Sequence, residues 1–285
     1  MAKKPARPSF TFHAFLRLTR FWNLLIIGLA QYFTAFFMIG ASTFTDWRLF
    51  VLSLSTMAIA AGGYIINDYY DVKIDLINKP ERVVVGKSIG RRYAILLHTF
   101  LSVTGVFLGF LVGWQIGLIN FSSGFLLWLY SNNLKRQPFV GNMTVAFLTG
   151  LSIALINWLY HSHLLLINVY ATFAFFITLV REIIKDMEDL KGDNTYGCKT
   201  LPILFGIRQT KYILYTLLAL FLLVVVAIHF FFKALPIYYF ILCLFAPLLV
   251  LLVYLIRADT KNDFYNLSAL CKVIMLLGIL SMAWV

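Results

Sequence analysis

The chain has 285 residues, of which 61% are hydrophobic and only 13% are charged. Together with a mean hydropathy of +0.85, this composition excludes an ordinary soluble domain and predicts a polytopic membrane protein. A net charge of +12 would suit a nucleic-acid-binding protein, but the positions of the cations indicate membrane topology instead.

Nine apolar runs are long enough to cross about 30 Å of hydrocarbon. They cover residues 18–40, 49–66, 93–113, 115–131, 142–159, 163–181, 211–233, 237–256 and 265–285. We therefore expect an all-α fold, with one transmembrane domain of nine helices over residues 1–285. The third and fourth helices should form a tight hairpin around Gly113, Trp114 and Gln115.

The distribution of Lys and Arg predicts the orientation. The N-terminal stretch from Met1 to His13 is polar and basic and leads into a long span, which is not typical of a cleaved signal peptide. Most other cations fall in alternate loops, which indicates an N-in, C-out, multi-pass protein of the cell membrane. The N-terminus and the acidic loops are then cytoplasmic, and no nucleic-acid partner is expected.

Nine of the twelve Asp and Glu residues fall in two short windows. In the first window, Asn67, Asp71 and Asp75 are four residues apart, so they lie on one face of a helix. In the second, the steps of four, three and four predict one helical face for the set Glu182, Asp186, Asp189 and Asp193. Each window follows a predicted span and opens a long polar loop, and such loops are usually functional.

Carboxylates stacked on a helical face repel one another and are tolerated when cations bind them. Oxygen ligands favour Mg²⁺, which binds one or two carboxylates together with substrate phosphates. Neither window has the loop of an EF-hand. The alternative is a solvated loop face in which Lys73, Lys185 and Lys191 neutralise the acids.

A metal held between two acidic helices would neutralise a diphosphate leaving group. A bundle with 17% aromatic residues could sheath a long hydrocarbon chain and stabilise an allylic carbocation. A prenyl diphosphate meets these demands, although most of the aromatic residues are also explained as membrane filler and interface belts.

At these positions the chain resembles the UbiA superfamily of intramembrane prenyltransferases. The first aspartate motif of that family is matched by Asn67, Asp68, Asp71 and Asp75, and the second by Asp186, Asp189 and Asp193. The segments around Tyr130 to Arg136, Gly141 and Asn142, Thr200 to Pro202 and Gly206 are also similar to family segments. The resemblance covers essentially the whole chain and implies a nine-helix bundle.

The resemblance also implies roles for single residues. Two Mg²⁺ ions would be bound by Asn67, Asp71, Asp75, Asp186, Asp189 and Asp193. The catalytic residues would be Asp68, Asp71, Asp186 and Asp189, with Asp68 in support. Lys135 and Arg82 would contact the diphosphate. Here the chain departs from many family members, because Val83, Val84 and Val85 follow Arg82 where a Ser-Gly turn is common.

The second motif looks most like the archaeal-lipid branch of the family, whose members transfer geranylgeranyl to a glycerol-phosphate ether. Geranylgeranyl diphosphate, a lipophilic acceptor and membrane lipid are therefore the expected partners. A prenyltransferase acting on aromatic rings in quinone, tocopherol or chlorophyll biosynthesis is the alternative within the family. Outside it, a membrane transporter is the main alternative.

Overall fold

The computed structural model describes residues 11–232 and 245–284, and within these ranges the regular elements are helical apart from an isolated bridge between Val85 and Ile89. This confirms the expected all-α fold. The α-helices are α1 Phe12–Leu18, α2 Phe21–Thr34, α3 Trp47–Asn78, α4 Arg91–Val112, α5 Trp114–Asn132, α6 Val140–Tyr160, α7 Leu165–Glu188, α8 Leu190–Thr195, α9 Leu201–Phe232, α10 Ala246–Arg257 and α11 Lys261–Leu280.

Seven helical segments in the described ranges are long and apolar enough to cross a membrane. Helix α5 has 19 residues but is less apolar, because Gln115 and Asn120 interrupt its hydrophobic sequence. Helix α10 has 12 residues, and residues 237–244 of the eighth predicted span lie outside the described residues, as do 1–10 of the basic N-terminus. The count of nine spans therefore stays a prediction. The expected hairpin is present, since only Gly113 separates α4 from α5.

Helix α3 carries the first motif inside it. Its 32 residues correspond to about 48 Å at 1.5 Å per residue, well beyond the hydrocarbon thickness of about 30 Å. The helix begins at the side-chain cap of Asp46 and ends just before Pro80, which disfavours helical geometry at Lys79. The expectation that the first window opens a polar loop is therefore wrong, because the helix continues through the window to Asn78.

The second motif is divided between two helices. Helix α7 ends at Glu188, and Asp189 has φ −94° and ψ 7°, outside the helical region, before the six-residue helix α8 begins. Glu182 and Asp186 lie on α7, whereas Asp193 lies on α8. The expectation of one helical face for all four acids is wrong, because the chain changes direction at Asp189.

Helix α7 is the centre of the bundle. One hydrophobic core joins its buried residues to α9, α10 and α11, and a second core joins its first turns to α2, α3 and α6. The loop after α3 is also packed, since Val84, Val85 and Ile89 are buried against α1, α3 and α4. In α9 the helix is interrupted at Gly206, whose φ of +78° favours glycine. This packing holds the ends of α3 and α7 in fixed positions.

Candidate active site

The two acidic motifs meet through the last residue of α3. The side chain of Asn78 donates from Nδ2 to the Asp189 carbonyl at 2.9 Å, and its Oδ1 accepts the Gly192 N–H at 2.8 Å. Its own carbonyl accepts from Lys261 Nζ at 2.7 Å, at the start of α11. The buried amide of Asn78 therefore fixes the end of α3 against the turn between α7 and α8.

Gly192 allows this approach. A Cβ atom at Gly192 would lie 2.5 Å from Nδ2 of Asn78, closer than two heavy atoms tolerate without hydrogen bonding. Only glycine lacks this atom, so close packing against Asn78 explains why position 192 in the second motif is a glycine.

The connection between α5 and α6 contributes to the same end of the bundle. Lys135 forms an ion pair with Asp71, and their side chains are 9% and 14% exposed. Asn142, in the first turn of α6, donates from Nδ2 to Asp186 Oδ2 at 2.9 Å. Gly141 lets the two segments approach, since a Cβ there would lie 2.8 Å from the Cα of Lys135. One connection thus contacts an acid from each motif.

Two further cations reach the motifs. Lys79 Nζ lies 2.7 Å from Asp189 Oδ1 and 3.0 Å from Glu188 Oε1. Arg20, between α1 and α2, lies 2.8 Å from Asp68 Oδ1 through its NH2 group. Pairing of this kind offsets the cost of burying charges. The solvated alternative is therefore wrong for these acids, which are largely removed from water.

Three oxygen-bearing side chains are left open. Oδ1 of Asn67 is buried without a hydrogen-bond partner, and within residues 11–232 and 245–284 the carboxylates of Asp75 and Asp193 form no hydrogen bond or ion pair. Burial, followed by the nearby carboxylates of Asp189 and Asp71, raises the pKa of Asp193 to about 7. Acids from both motifs therefore act on one side chain, and a bound cation would relieve their repulsion.

These open oxygens fit Mg²⁺, which takes one or two carboxylates and completes its shell with phosphate and water. Within the described ranges, no three His, Cys, Asp or Glu side chains converge closely enough to hold a metal ion by themselves. These side-chain oxygens therefore suit a metal ion that is also bound by the phosphates of a ligand. They suit less well a metal ion whose ligands all come from the protein.

Arg82 is not brought to the acids. Its side chain is 52% exposed, its Nε lies 3.8 Å from the carboxylate of neighbouring Glu81, and its guanidinium lies over the ring of Tyr265. The valines that follow it are buried and hold the loop against α1. The predicted diphosphate contact of Arg82 stays a prediction, and this arrangement gives it no direct support.

Sequence reasoning missed Asn78, Gly192, Lys79 and Arg20 as parts of this site. Asn78 continues the ladder of the first motif one step of three beyond Asp75, so helical spacing could have identified it. In the sequence, Arg20 and Lys79 indicated only the orientation of the chain in the membrane. Their pairing with acids far along the chain depends on tertiary packing.

The family model described as the UbiA prenyltransferase family matches residues 28–270. A digeranylgeranylglyceryl phosphate synthase from Sulfurisphaera tokodaii is 33% identical over 252 residues, which cover 87% of this chain and 89% of the relative. Another, from Methanobrevibacter smithii, is 38% identical over 168 residues, or 56% of this chain, and the match spans only 59% of that relative's length.

Solved structures show the same fold. One, reported with insights into digeranylgeranylglyceryl phosphate synthase in membranes, has a TM-score of 0.70 at 22% identity and covers 95% of this chain and 96% of its own. A UbiA homolog from Archaeoglobus fulgidus bound to GPP and Mg²⁺ has a TM-score of 0.60 at 15% identity, with 95% and 99% covered. With the two motifs joined at one end of a helical membrane bundle and a family match over most of its length, the chain belongs to the UbiA prenyltransferase family.

Proposed function

We propose that this protein transfers a polyprenyl group from an allylic prenyl diphosphate to a glycerol-phosphate ether, in a reaction that depends on Mg²⁺. The observation that carries the proposal is the junction of the two acidic motifs at Asn78, which joins the end of the helix that carries the first motif to the turn within the second. The acceptor class is supported by the relatives, which are named digeranylgeranylglyceryl phosphate synthase.

The chain's own residues divide into three roles. The Mg²⁺ ions would be held by Asn67, Asp71, Asp75, Asp186, Asp189 and Asp193, and bound there they would neutralise the diphosphate leaving group. Lys135 donates hydrogen bonds to diphosphate oxygens as a compact cation. Asn142 and Asn78 orient Asp186 and the turn at Asp189, so that the acids keep their positions when the substrate leaves.

Asp68 has a supporting role in this scheme. Its pairing with Arg20 across 48 residues of sequence fixes the start of α2 against α3. The positive charge of Arg20 also lies close to the region that receives diphosphate. A diphosphate contact by Arg82 stays a separate prediction, since its guanidinium lies over the ring of Tyr265.

Three further features belong to the proposal. The preferred donor is geranylgeranyl diphosphate, the preferred metal is Mg²⁺, and the active-site end faces the cytoplasm with the N-terminus. The orientation is supported by the bias of Lys and Arg towards the loops at that end. Surrounding membrane lipid supplies the acceptor laterally.

The test is an acceptor panel. Purified protein in liposomes receives labelled geranylgeranyl diphosphate and Mg²⁺ with either geranylgeranylglyceryl phosphate or an aromatic acid, and products are identified by mass. We expect transfer to the glycerol phosphate ether and none with Asp71→Asn. Transfer only to the aromatic acid would replace the acceptor class. Label accumulating inside the vesicles without any product would favour a transporter.

A further inference from the structure

Helix α1, the loop after α3 and the start of α4 pack together beside the first motif. One hydrophobic cluster joins these segments, and its buried members are Ala14, Leu18, Ile65, Val84, Val85, Ile89 and Ala94. Because Ala14 and Leu18 are four residues apart, α1 buries one face and leaves Arg17 exposed on the other. The three segments therefore present one continuous outer surface.

The outer surface of this cluster is strongly basic. Residues 11–19 and 80–92 contain five Lys and Arg residues and one acid. The acid, Glu81, lies 3.8 Å from Arg82, so these two charges offset each other. Among residues 11–232 and 245–284, the other four cations form no ion pair, and all of them are exposed, namely Arg17, Lys87, Arg91 and Arg92. Four positive charges are thus uncompensated by any acid of the surface.

Contacts with neutral groups fix three of these cations. Arg17 donates from NH2 to the carbonyl of Glu81, and Lys87 donates from Nζ to another carbonyl of the same loop at 2.7 Å. The guanidinium of Arg91 lies 4.5 Å from the centre of the Tyr69 ring. A carbonyl or an aromatic ring holds a cation in position without cancelling its charge. The surface therefore keeps its positive charge for an external anion.

The length of α4 places this surface at the membrane boundary. The helix has 22 residues, or about 33 Å, so it is only slightly longer than the hydrocarbon thickness of about 30 Å. Its first two residues, Arg91 and Arg92, therefore lie at the level of the lipid headgroups. Trp22 and Tyr93, at the starts of α2 and α4, are 76% and 66% exposed, and Trp and Tyr are enriched at this level of a membrane.

We propose that the surface formed by Arg17, Lys87, Arg91 and Arg92 binds the anionic headgroups of membrane phospholipids. Clusters of about four to eight Lys and Arg beside a membrane helix are typical of such binding. The four cations are paired with no acid of either motif in the part of the chain that the structure describes. The surface is therefore separate from the candidate active site, and the inference does not depend on the proposed function.

The test is a competition between two lipids. Purified protein in detergent is mixed with equal amounts of phosphatidylglycerol and phosphatidylcholine of the same chain length, and the lipids that remain bound after the excess is removed are quantified by mass spectrometry. We expect phosphatidylglycerol to be enriched about fivefold or more. The triple variant that carries Arg17→Gln, Lys87→Gln and Arg92→Gln should lose most of this enrichment. Equal binding of the two lipids by the wild type would overturn the proposal.

A second triple variant separates charge from packing. Arg17→Lys, Lys87→Arg and Arg92→Lys keep all three positive charges, so this variant should retain the enrichment of phosphatidylglycerol. If it loses the enrichment as fully as the Gln variant does, the shapes of the side chains and not their charges are responsible, and the proposal fails.

The control for net charge removes three exposed cations from α8, α9 and α10. It carries Lys191→Gln, Arg208→Gln and Arg257→Gln. We expect this variant to enrich phosphatidylglycerol as the wild type does. An equal loss in both Gln variants would show that the lipid responds to the total charge of the protein, and it would overturn the assignment to this surface.

Inorganic phosphate distinguishes a surface for lipid headgroups from a site for free phosphate. Sodium phosphate and sodium chloride at equal ionic strength should lower the enrichment of phosphatidylglycerol to the same extent, because screening depends on ionic strength. If phosphate displaces phosphatidylglycerol at an ionic strength at which chloride does not, the surface binds phosphate ions, and the assignment to membrane lipid is overturned.

Discussion

Gly192 has no room for a side chain, because the amide of Asn78 occupies the space where a Cβ would lie. We expect Gly192→Ala to displace Asn78, break its bonds to Asp189 and Gly192, and destabilise the fold by about 1–3 kcal/mol. Thermal unfolding and diphosphate release should both report the loss. Gly124→Ala is the control, since a Cβ there meets its nearest neighbour at an ordinary 3.7 Å. Equal behaviour of the two variants would contradict the packing role of Gly192.

Lys135 offers a second test of a single residue. Its ammonium is paired with Asp71, and a charge-assisted hydrogen bond to a diphosphate is worth about 1.5–3 kcal/mol. We therefore expect Lys135→Met to raise the KM for prenyl diphosphate by about tenfold or more, with a smaller effect for Lys135→Arg.

The control for Lys135 is Lys191→Met. Lys191 lies on α8 close to the same motif in sequence but is exposed, so removal of its charge should leave the KM almost unchanged. If both lysine variants raised the KM equally, the effect would come from net charge at the bundle end and not from a specific contact.

Among the helices, α3 and the α7–α8 turn act as one unit through Asn78. Asp75 and Asp193 are suited to testing this, because among residues 11–232 and 245–284 neither has a cation partner that its removal would leave unpaired. Asp75→Asn and Asp193→Asn should each lower kcat at least 100-fold, and the double variant should be hardly worse than either single one. If the factors by which the two single variants lower kcat multiply in the double variant, the two motifs form independent sites. If one single variant keeps a near-normal kcat, the residue changed in it does not belong to the site.

Helical spacing predicted the first motif well and the second only in part. Asn67, Asp71 and Asp75 lie on one continuous helix, because Pro80 is the first residue that stops it. The end of α7 carries no such signal, since Glu188, Asp189 and Leu190 are all compatible with a helix. The chain leaves the helix there because Asn78 and Lys79 bind the turn, and these contacts are set by packing across more than a hundred residues.

At the scale of the whole molecule, hydropathy predicted the helical bundle and the hairpin at Gly113, but not how far the helices extend. Helix α3 continues twelve residues beyond the predicted span, because its apolar face persists beside the acids, as buried Ile74 shows. The distribution of cations in the sequence indicates mainly topology, and the family resemblance links only Lys135 and Arg82 to a ligand. Arg20, Lys79 and Lys135 proved to be partners of the acids, a role that needs coordinates to recognise.

The complete protein is expected to depend strictly on a divalent cation. Excess chelator should abolish diphosphate release, and Mg²⁺ should restore it, because Asn67, Asp75 and Asp193 have no cation of their own among the described residues. Mg²⁺ together with prenyl diphosphate should also raise the Tm more than either alone, as expected for a metal that binds with phosphate. Full activity in chelator would overturn the metal site.

The contacts of Asn78 also set an order in time. A growing chain makes α3 early, but Gly192 follows 114 residues later and Lys261 follows 183 residues later. Until both have emerged from the ribosome and entered the membrane, the amide and the final carbonyl of α3 lack these partners. A partly synthesised chain that lacks Gly192 or Lys261 is therefore expected to be inactive. The first motif is therefore inactive when it is inserted, and the site is complete only after helix α11 has been synthesised.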